Sequence, residues 1–257
     1  MIETHLFIPD IHIPDHDERA LKVFKKAIPE IKADVVHFLG DVLNFTKVAN
    51  YEMLKGYTPS IKEEILQARV IFNDLITQLK KANSKVKIKY YEGNHEDRLN
   101  RYLMRNAQAL VDLPDKFGDS ILTVPTLLYL KELGVEWIPY TEVTRVKNFI
   151  VEHGDIASNK AGATAHKMIQ RRGKSGFSGH THRLAFVATR QGDNRYFWLE
   201  CGSLCKQNPK PRYVREPDWQ QGFAVGHFNT ESKIMHPTLI PLINYEFYYN
   251  SRLFICH

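Results

Sequence analysis

Short apolar segments recur along the chain and alternate with amphipathic ones. Residues 4–9 and 34–39 have the length and apolar character of buried strands, and residues 86–90 alternate apolar side chains with lysine, as a strand with one covered face does. The same signals return in the second half of the chain. The later predicted strands are residues 142–151, 175–178, 185–190, 196–201 and 223–228.

Helical spacing of apolar side chains fills the gaps between these strands. Residues 17–28 predict a first helix, and Ser60 with Glu63 forms a capping-box pattern that opens a long second one. Residues 160–172 predict another helix, which ends at a glycine. The segment 97–140 has a helical pattern with irregular breaks at proline and glycine.

The chain is long and apolar enough to bury a substantial core. Its 257 residues, 43% of them hydrophobic, fit one elaborated domain over residues 1–257. The sequence indicates neither a signal peptide nor a membrane span. Cys201, Cys205 and Cys256 form no even disulfide framework. We therefore expect a cytoplasmic protein with reduced thiols, and the oligomeric state stays open.

Basic residues are clustered rather than evenly spread. The formal net charge is +6, and lysine and arginine concentrate in residues 80–89, 171–174 and 206–215. A positive charge of this size favours anionic partners. Each cluster fits either a solvated surface or a nucleic-acid contact, so this pattern leaves both interpretations open.

Five short polar clusters carry the candidate chemistry. Each one follows a predicted strand, and the carboxyl ends of strands in α/β sheets are where ligands gather. One such cluster alone is a weak signal, but their order, their placement and their glycine neighbours together are specific. The clusters are Asp10-Ile11-His12, Gly40-Asp41, Gly93-Asn94-His95-Glu96, His153-Gly154-Asp155 and Gly179-His180-Thr181-His182.

The donor types in these clusters suit a divalent metal. Carboxylate, imidazole and amide oxygen, without thiolate, match manganese, iron, zinc or nickel. An Asp-x-His or His-x-His pair in an extended segment also presents both side chains to the same side. The sequence therefore predicts a metal site at the ends of the strands.

The ordered clusters resemble the motifs of the metallophosphoesterase superfamily, the calcineurin-like phosphoesterases, which includes the SbcD and Mre11 nucleases. The resemblance spans about residues 4–230 and is nearer to compact stand-alone members of phage and bacterial genomes. It implies a four-layer αββα sandwich, in which two mixed sheets are flanked by helices and a dinuclear metal site lies at the strand ends.

The resemblance also implies roles for individual residues. Two divalent ions would be bound, with manganese favoured and iron, zinc, nickel or cobalt as alternatives, and Asp41 would bridge them. The ligands implied for the first ion are Asp10, His12 and His182, and those for the second are Asn94, His153 and His180.

A water-derived hydroxide between the two ions would be the nucleophile. His95, next to a ligand but off the metals, would stabilise or protonate the leaving oxygen, and Asp97 is a candidate to orient its ring. Arg98 and Arg183 are candidates to contact the phosphate, although a surface role is an equally good interpretation of Arg98.

The expected activity is metal-dependent hydrolysis of phosphate esters, with phosphodiester bonds of DNA or RNA favoured because of the basic clusters. The alternatives are a phosphomonoesterase acting on nucleotides or phosphoproteins, and a non-catalytic binding scaffold with the same fold. A scaffold would have replaced several ligands, whereas every expected position is filled here. Asp41 leads into Val42-Leu43-Asn44, which departs from the arginine-bearing sequence of the phosphoprotein phosphatases.

Overall fold

The computed structural model describes residues 1–50, 59–208 and 217–256. Strands in these ranges form two large sheets and one small hairpin. The strands are β1 (Ile2–Ile8), β2 (Val35–Phe38), β3 (Lys87–Tyr91), β4 (Val135–Ile138), β5 (Thr144–Val146), β6 (Phe149–Glu152), β7 (Ser175–Ser178), β8 (Leu184–Gln191), β9 (Asn194–Cys201), β10 (Gly222–Asn229), β11 (Ile234–Pro241), β12 (Glu246–Tyr249) and β13 (Arg252–Ile255). The α-helices are α1 (Glu18–Ile31), α2 (Ile61–Ala82), α3 (Asp97–Asn106), α4 (Val124–Leu127) and α5 (Ala163–Arg172).

Both large sheets are mixed. The first has the order β11-β10-β1-β2-β3-β4, in which β1 to β4 run parallel and β10 and β11 add antiparallel at one edge. The second has the order β5-β6-β7-β9-β8, with β6, β7 and β9 parallel. Parallel neighbours place the carboxyl ends of β1, β2 and β3 at one edge of the first sheet, and those of β6 and β7 at one edge of the second.

Side chains of the first sheet alternate between two cores, as the period of a strand requires. Leu6 and Ile8 of β1 face a core that they share with Phe24 of α1 and Phe72 of α2. Phe7, between them, faces the second core, which lies between the sheets. Helices α1 and α2 therefore cover the outer face of this sheet.

The second sheet is built in the same way. Phe177 of β7 stacks on Phe7 across the sheet interface, with ring centroids 3.8 Å apart. Ile150 and Trp198 face the opposite side, where they pack on Met168 of α5. The layers are thus helix, sheet, sheet and helix, which confirms the predicted αββα sandwich of two mixed sheets.

The predicted ends of two helices match the structure. At the start of α2, the Ser60 hydroxyl accepts from the backbone N–H of Glu63 while the Glu63 carboxylate accepts from the backbone N–H of Ser60, so the capping box is formed. Gly173 follows α5 in the left-handed region, as expected of a glycine after a helix. No helix in the described part of the chain is long and apolar enough to cross a bilayer.

The structure corrects two sequence predictions and adds three strands that the sequence did not predict. Residues 135–138 form β4 rather than part of a helical region, because their backbone pairs with the exposed edge of β3. The single strand predicted over 142–151 is two antiparallel strands, β5 and β6, separated by a turn at Lys147, which has a φ of 57°. The sequence pattern did not separate strands β11, β12 and β13.

Candidate metal centre

All five clusters lie at the same end of the two sheets, immediately after strands β1, β2, β3, β6 and β7. Their predicted ligands are largely removed from water: Asp10 is 0% exposed and Asp41 is 2% exposed. Burying a carboxylate is costly unless cations or hydrogen-bond donors surround it. The geometry around these two residues shows which groups offset the cost of burying their charges.

The first group of donors is formed by Asp10, His12, Asp41 and His182, whose ligand atoms all lie within 4.8 Å of one another. The two Nε2 atoms of His12 and His182 are 2.9 Å apart, and His182 Nε2 is 3.3 Å from Asp10 Oδ1. Two ring nitrogens this close need a proton or a cation between them, because their lone pairs repel. The group therefore fits a divalent cation.

The second group is formed by Asn94, His153 and His180. Asn94 Oδ1 lies 3.0 Å from His153 Nε2 and 2.8 Å from His180 Nδ1, and the two nitrogens are 3.2 Å apart. Two donors, each about 2.1 Å from one ion and at a right angle to each other, lie about 3 Å apart. This triangle therefore also fits one face of a metal coordination shell.

Asp41 stands between the two groups. Its Oδ2 atom is 3.7 Å from His12 Nε2 in the first group and 3.4 Å from His153 Nε2 in the second. One carboxylate is thus within reach of cations bound at either group.

Electrostatics keeps both carboxylates ionised. Burial opposes the charge on Asp10, but the neighbouring His12 and His182 rings outweigh it and lower the pKa of Asp10 to about 2. Burial likewise opposes the charge on Asp41, yet attraction to the neighbouring His153 ring holds its pKa well below the usual range. The site is therefore a buried anionic centre, which attracts cations.

The sequence model of the calcineurin-like phosphoesterase family matches residues 4–184, which include all five clusters. The chain belongs to this family. Its members hydrolyse phosphate esters with divalent metals, so the protein is a metal-dependent phosphoesterase. The matched model describes the family as a whole, and kinship with the SbcD and Mre11 nucleases stays a prediction.

Relatives are similar over nearly their whole length. The Gene 54 protein of Mycobacterium phage D29 is 28% identical over 262 residues, covering 96% of both chains. Among solved structures, Vacuolar Protein Sorting 29 from Cryptosporidium parvum is 13% identical, with a TM-score of 0.44 and coverage of 98% of this chain and 94% of that one. YfcE, a phosphoesterase from E. coli, is 15% identical, with a TM-score of 0.38 and coverage of 92% and 98%. Structural likeness at this level carries no argument about the substrate of the phosphoesterase described here.

Several residues at the phosphoesterase site have a left-handed backbone conformation, which residues other than glycine rarely adopt. Left-handed conformations at such residues cost about 1 to 3 kcal/mol each and gather at functional sites. Five of the predicted ligands have positive φ. These are Asp10 (32°), His12 (55°), Asp41 (50°), His180 (68°) and His182 (55°).

Glycines allow the strand ends to approach the carboxylates. A Cβ at Gly93 would meet Asp41 Oδ1 at 2.1 Å, and one at Gly179 would meet Asp10 Oδ2 at 2.2 Å. The backbone N–H of His180 then donates to the Asp10 carboxylate at 3.1 Å. Space at Gly179 is thus required for Asp10 to sit where it does.

Hydrogen bonds outside the donor groups set the histidine tautomers. His153 Nδ1 donates to the Leu39 carbonyl at 2.7 Å, so Nε2, which faces Asp41, is the nitrogen that can exchange its proton for a cation. His12 Nδ1 lies 3.1 Å from Asn44 Oδ1. Since the Asn44 amide nitrogen donates to Asp15 at 2.7 Å, its oxygen is the acceptor that faces His12. His12 Nε2 is therefore also free to bind a cation.

Asn44 also contacts His95, a role that the sequence pattern did not reveal. His95 Nδ1 lies 3.0 Å from the same Asn44 oxygen, and His95 Nε2 accepts from an Arg98 guanidinium N–H at 2.7 Å. Burial, together with the charges of His12 and Arg98, outweighs the attraction of Asp41 and lowers the pKa of His95 well below its ordinary value. His95 is thus a neutral ring, and its Nε2 lies 3.7 Å from Asp41 Oδ2.

The prediction that Asp97 orients His95 is wrong. Asp97 opens helix α3 and pairs instead with Arg101 one turn later, at 2.7 Å, so its carboxylate is directed along the helix surface. The only sequence signal for Asn44 was its position three residues after Asp41, where the chain departs from the phosphoprotein phosphatase pattern.

Glu96 was also missed as a structural residue of the site. Its buried carboxylate accepts from the backbone N–H groups of Asp41, Leu43 and Gly93, at 2.8 to 2.9 Å, and from the Tyr90 hydroxyl at 2.7 Å. It therefore ties the loop after β2 to the loop after β3. Its place inside the Gly-Asn-His-Glu motif was the available signal.

Several predicted phosphate or nucleic-acid contacts are engaged within the protein. Arg183 donates to Asp218 and to the Ser158 carbonyl, both at 2.7 Å. Arg171 pairs with Asp155 at 2.6 Å. In the same way, Arg172 pairs with Glu152 and Lys89 with Glu136. The third basic cluster falls mainly in residues 209–216, which lie outside the described residues.

Proposed function

We propose that this phosphoesterase hydrolyses phosphodiester bonds of DNA or RNA at a two-metal centre joined by Asp41. The observation that carries the proposal is the position of Asp41 between two donor groups, each of which fits an ion. In this proposal Asp41 is a ligand of both ions, and manganese is the favoured metal. The remaining proposed ligands are Asp10, His12 and His182 for the first ion, and Asn94, His153 and His180 for the second.

Two divalent ions held by these residues would supply Lewis acidity for activating water and for neutralising charge on the phosphate. The protein's own part is to hold and orient. Buried carboxylates draw the cations in, and the Leu39 carbonyl and Asn44 fix the tautomers of His153 and His12. Both rings are therefore held with Nε2 in place for the proposed ions.

His95 and Arg98 form the proposed phosphate-facing pair. The Arg98 guanidinium donates to His95 Nε2, and it also donates to the Asn44 carbonyl at 2.8 Å, so both groups are held beside Asp41. Arg98 supplies hydrogen-bond donors for a phosphate oxygen. His95 can deliver a proton to the leaving oxygen only after its Nε2 has gained one, which the nearby Asp41 carboxylate favours.

A phosphomonoesterase acting on nucleotides or phosphoproteins is the second candidate. The observation that favours it is the pairing of Arg171, Arg172 and Lys89 with carboxylates, since cations already neutralised contribute less to binding a long polyanion.

The three cysteines are buried as thiols, which agrees with the proposed cytoplasmic location.

A substrate panel separates these candidates. The purified protein with manganese would be tested on bis-p-nitrophenyl phosphate, p-nitrophenyl phosphate, single- and double-stranded DNA, RNA and cyclic nucleotides. We expect turnover of the diester and of at least one nucleic acid. Turnover of the monoester alone would replace the leading proposal by the second, and no turnover with manganese, iron, zinc, nickel or cobalt would reject both.

A further inference from the structure

A cavity of about 410 Å³ opens directly beside the metal centre. Asn94, a proposed metal ligand, and Arg98 belong to its lining. One wall is helix α3, and the other is the chain from Val48 to Asn50, which begins at the last residue of a short 3-10 helix, Thr46–Val48. Anything bound in this cavity therefore lies next to a phosphate held at the metals.

The α3 wall carries a stripe of arginines. Arg98, Arg101 and Arg105 are spaced three and four residues apart, so they lie on one face of the helix, while Leu99 and Leu103 are buried on another. Arg98 and Arg105 are seven positions apart, so the stripe extends over about 10 Å of the helix. We call the cavity with these three arginines the arginine groove.

The described residues that line the groove give it a net positive charge. None of the described residues that line it is acidic. Arg101 is paired with Asp97. Arg105 is exposed and forms no ion pair within the described ranges. A local positive field therefore extends from the metal centre along α3.

A second cavity, which flanks the centre beside His153, has the reverse character. It has a volume of about 290 Å³, and Glu92, Glu152 and Asp155 belong to its lining. Arg171 and Arg172 also line it, but Arg171 is paired with Asp155 and Arg172 with Glu152. A polyanion that extends beyond the metals is therefore attracted towards α3 and not towards this flank.

We propose that the arginine groove binds the phosphate group adjacent to the one being hydrolysed, with Arg105 and Arg101 as specificity residues. This inference rests on the proposed phosphoesterase function and names its substrate class: a substrate with two or more neighbouring phosphates. Tyr102, which also lines the groove and is 41% exposed, offers a face on which a base can stack. This feature favours a nucleic-acid strand over an inorganic polyphosphate.

The test compares substrates that differ by one neighbouring phosphate. Thymidine dinucleotide has a single internucleotide phosphate, and the trinucleotide has two. For the wild type we expect kcat/KM to be higher for the trinucleotide. Arg105→Ala should reduce the trinucleotide-to-dinucleotide ratio by about 3- to 5-fold, the scale of one exposed ion pair, and Arg105→Lys should restore most of it.

Salt dependence supplies a second readout. Removal of one arginine–phosphate interaction should reduce the slope of log KM against log salt for the trinucleotide by about 0.7. Arg190→Ala is the matched control, since it removes one positive charge at the distant turn between β8 and β9. It should leave both the ratio and the slope at wild-type values.

A parallel arm identifies the source of the second phosphate. The same variants would be assayed with ADP against p-nitrophenyl phosphate. An effect of Arg105→Ala in the nucleotide-chain arm assigns the groove to nucleic acid, and an effect confined to the ADP arm assigns it to nucleoside polyphosphates. An unchanged ratio in both arms, for Arg105→Ala and for Arg101→Gln combined with it, overturns the inference while leaving phosphoesterase activity intact.

Failure of the proposed diester hydrolysis would look different, because the wild type would then cleave neither the dinucleotide nor the trinucleotide. In that case, binding of fluorescein-labelled thymidine trinucleotide, followed by anisotropy at low salt, tests the groove alone. Weaker binding by Arg105→Ala than by Arg190→Ala supports the groove as a phosphate site, and equal binding by the two variants overturns it.

Discussion

Asn44 holds two imidazole rings through one amide oxygen. It accepts from both His12 and His95, and Asp15 keeps the amide from turning over. We predict that Asn44→Leu lowers metal affinity by about 10- to 100-fold, because His12 is then no longer held in the binding tautomer. Titration calorimetry with manganese measures this effect.

Asn83→Leu is the control for the replacement of an asparagine. Asn83 bonds to the Ala33 carbonyl and to Asp34, far from the centre, so its replacement should lower stability without changing metal affinity. Equal affinities for wild type and Asn44→Leu would show that the tautomer of His12 does not depend on Asn44.

Asp41 and His95 are neighbours with separable roles. Asp41→Ala should lose metal and activity together, because it removes the carboxylate between the two donor groups. His95→Ala should retain both ions yet lower kcat by about 100-fold or more, as loss of a general acid or of a transition-state interaction does. Metal content by mass spectrometry and kcat on bis-p-nitrophenyl phosphate test the pair. Comparable metal loss in both variants would remove the case for His95 as a catalytic residue.

At the scale of elements, the turn after β7 depends on having glycine, which has no side chain, at position 179. The Cβ of an alanine at position 179 would meet the Asp10 carboxylate at 2.2 Å. We predict that Gly179→Ala displaces Asp10 and removes one of the two ions, which metal stoichiometry would detect.

Gly192→Ala provides the comparison for Gly179. Gly192 also follows a strand, β8, and has a positive φ of 60°, but no atom lies within 4 Å of the position that a Cβ would take there. This variant should cost about 1 kcal/mol of unfolding free energy and keep both ions. If Gly179→Ala also bound two ions, the close approach to Asp10 would not be essential.

At the scale of the whole molecule, a chain of buried polar groups crosses the core between the sheets. Glu3 bonds to His5 at 2.7 Å, His5 to His37 at 3.0 Å, and His37 to the Tyr91 hydroxyl at 3.0 Å. Burial, only partly offset by Glu3, lowers the pKa of His5 to about 4, and burial also holds the pKa of His37 well below its ordinary value.

These histidines make the fold sensitive to acid. Between pH 6.5 and 4 the unfolded chain binds protons at His5 and His37 that the folded protein does not, so stability falls as the pH falls through this range. Each histidine contributes a slope of up to about 1.4 kcal/mol per pH unit. Urea unfolding at several pH values should give a shallower slope for His5→Gln than for the wild type.

His166→Gln is the matched control for this slope, because His166 is exposed on α5. Its slope should equal that of the wild type when both are measured with chelator present. A slope for His5→Gln that matches the wild type would place the acid sensitivity elsewhere.

The sequence by itself determined most of the strands and helices, and the resemblance of its motifs to the family implied the sandwich and the location of the site. Strand period and helical spacing are local properties, and they predicted most strands of both sheets and the capping box of α2. Parallel strands end at a common edge, so clusters that follow them had to converge. Residues 135–138 were not predicted as a strand, because four residues carry too little periodic signal. Only their pairing with β3 makes them a strand.

Only the tertiary structure decided which polar groups are partners. Asn44 instead of Asp97 orients His95, and Arg171 and Arg172 are paired with carboxylates while Arg105 faces an open groove. Such pairings join residues from separate loops and elements, and their distances depend on how the chain packs, with backbone angles at Asp10 and Asp41 that no local preference favours. Sequence pattern encodes the periodicity of each element, whereas these contacts arise only when the elements meet.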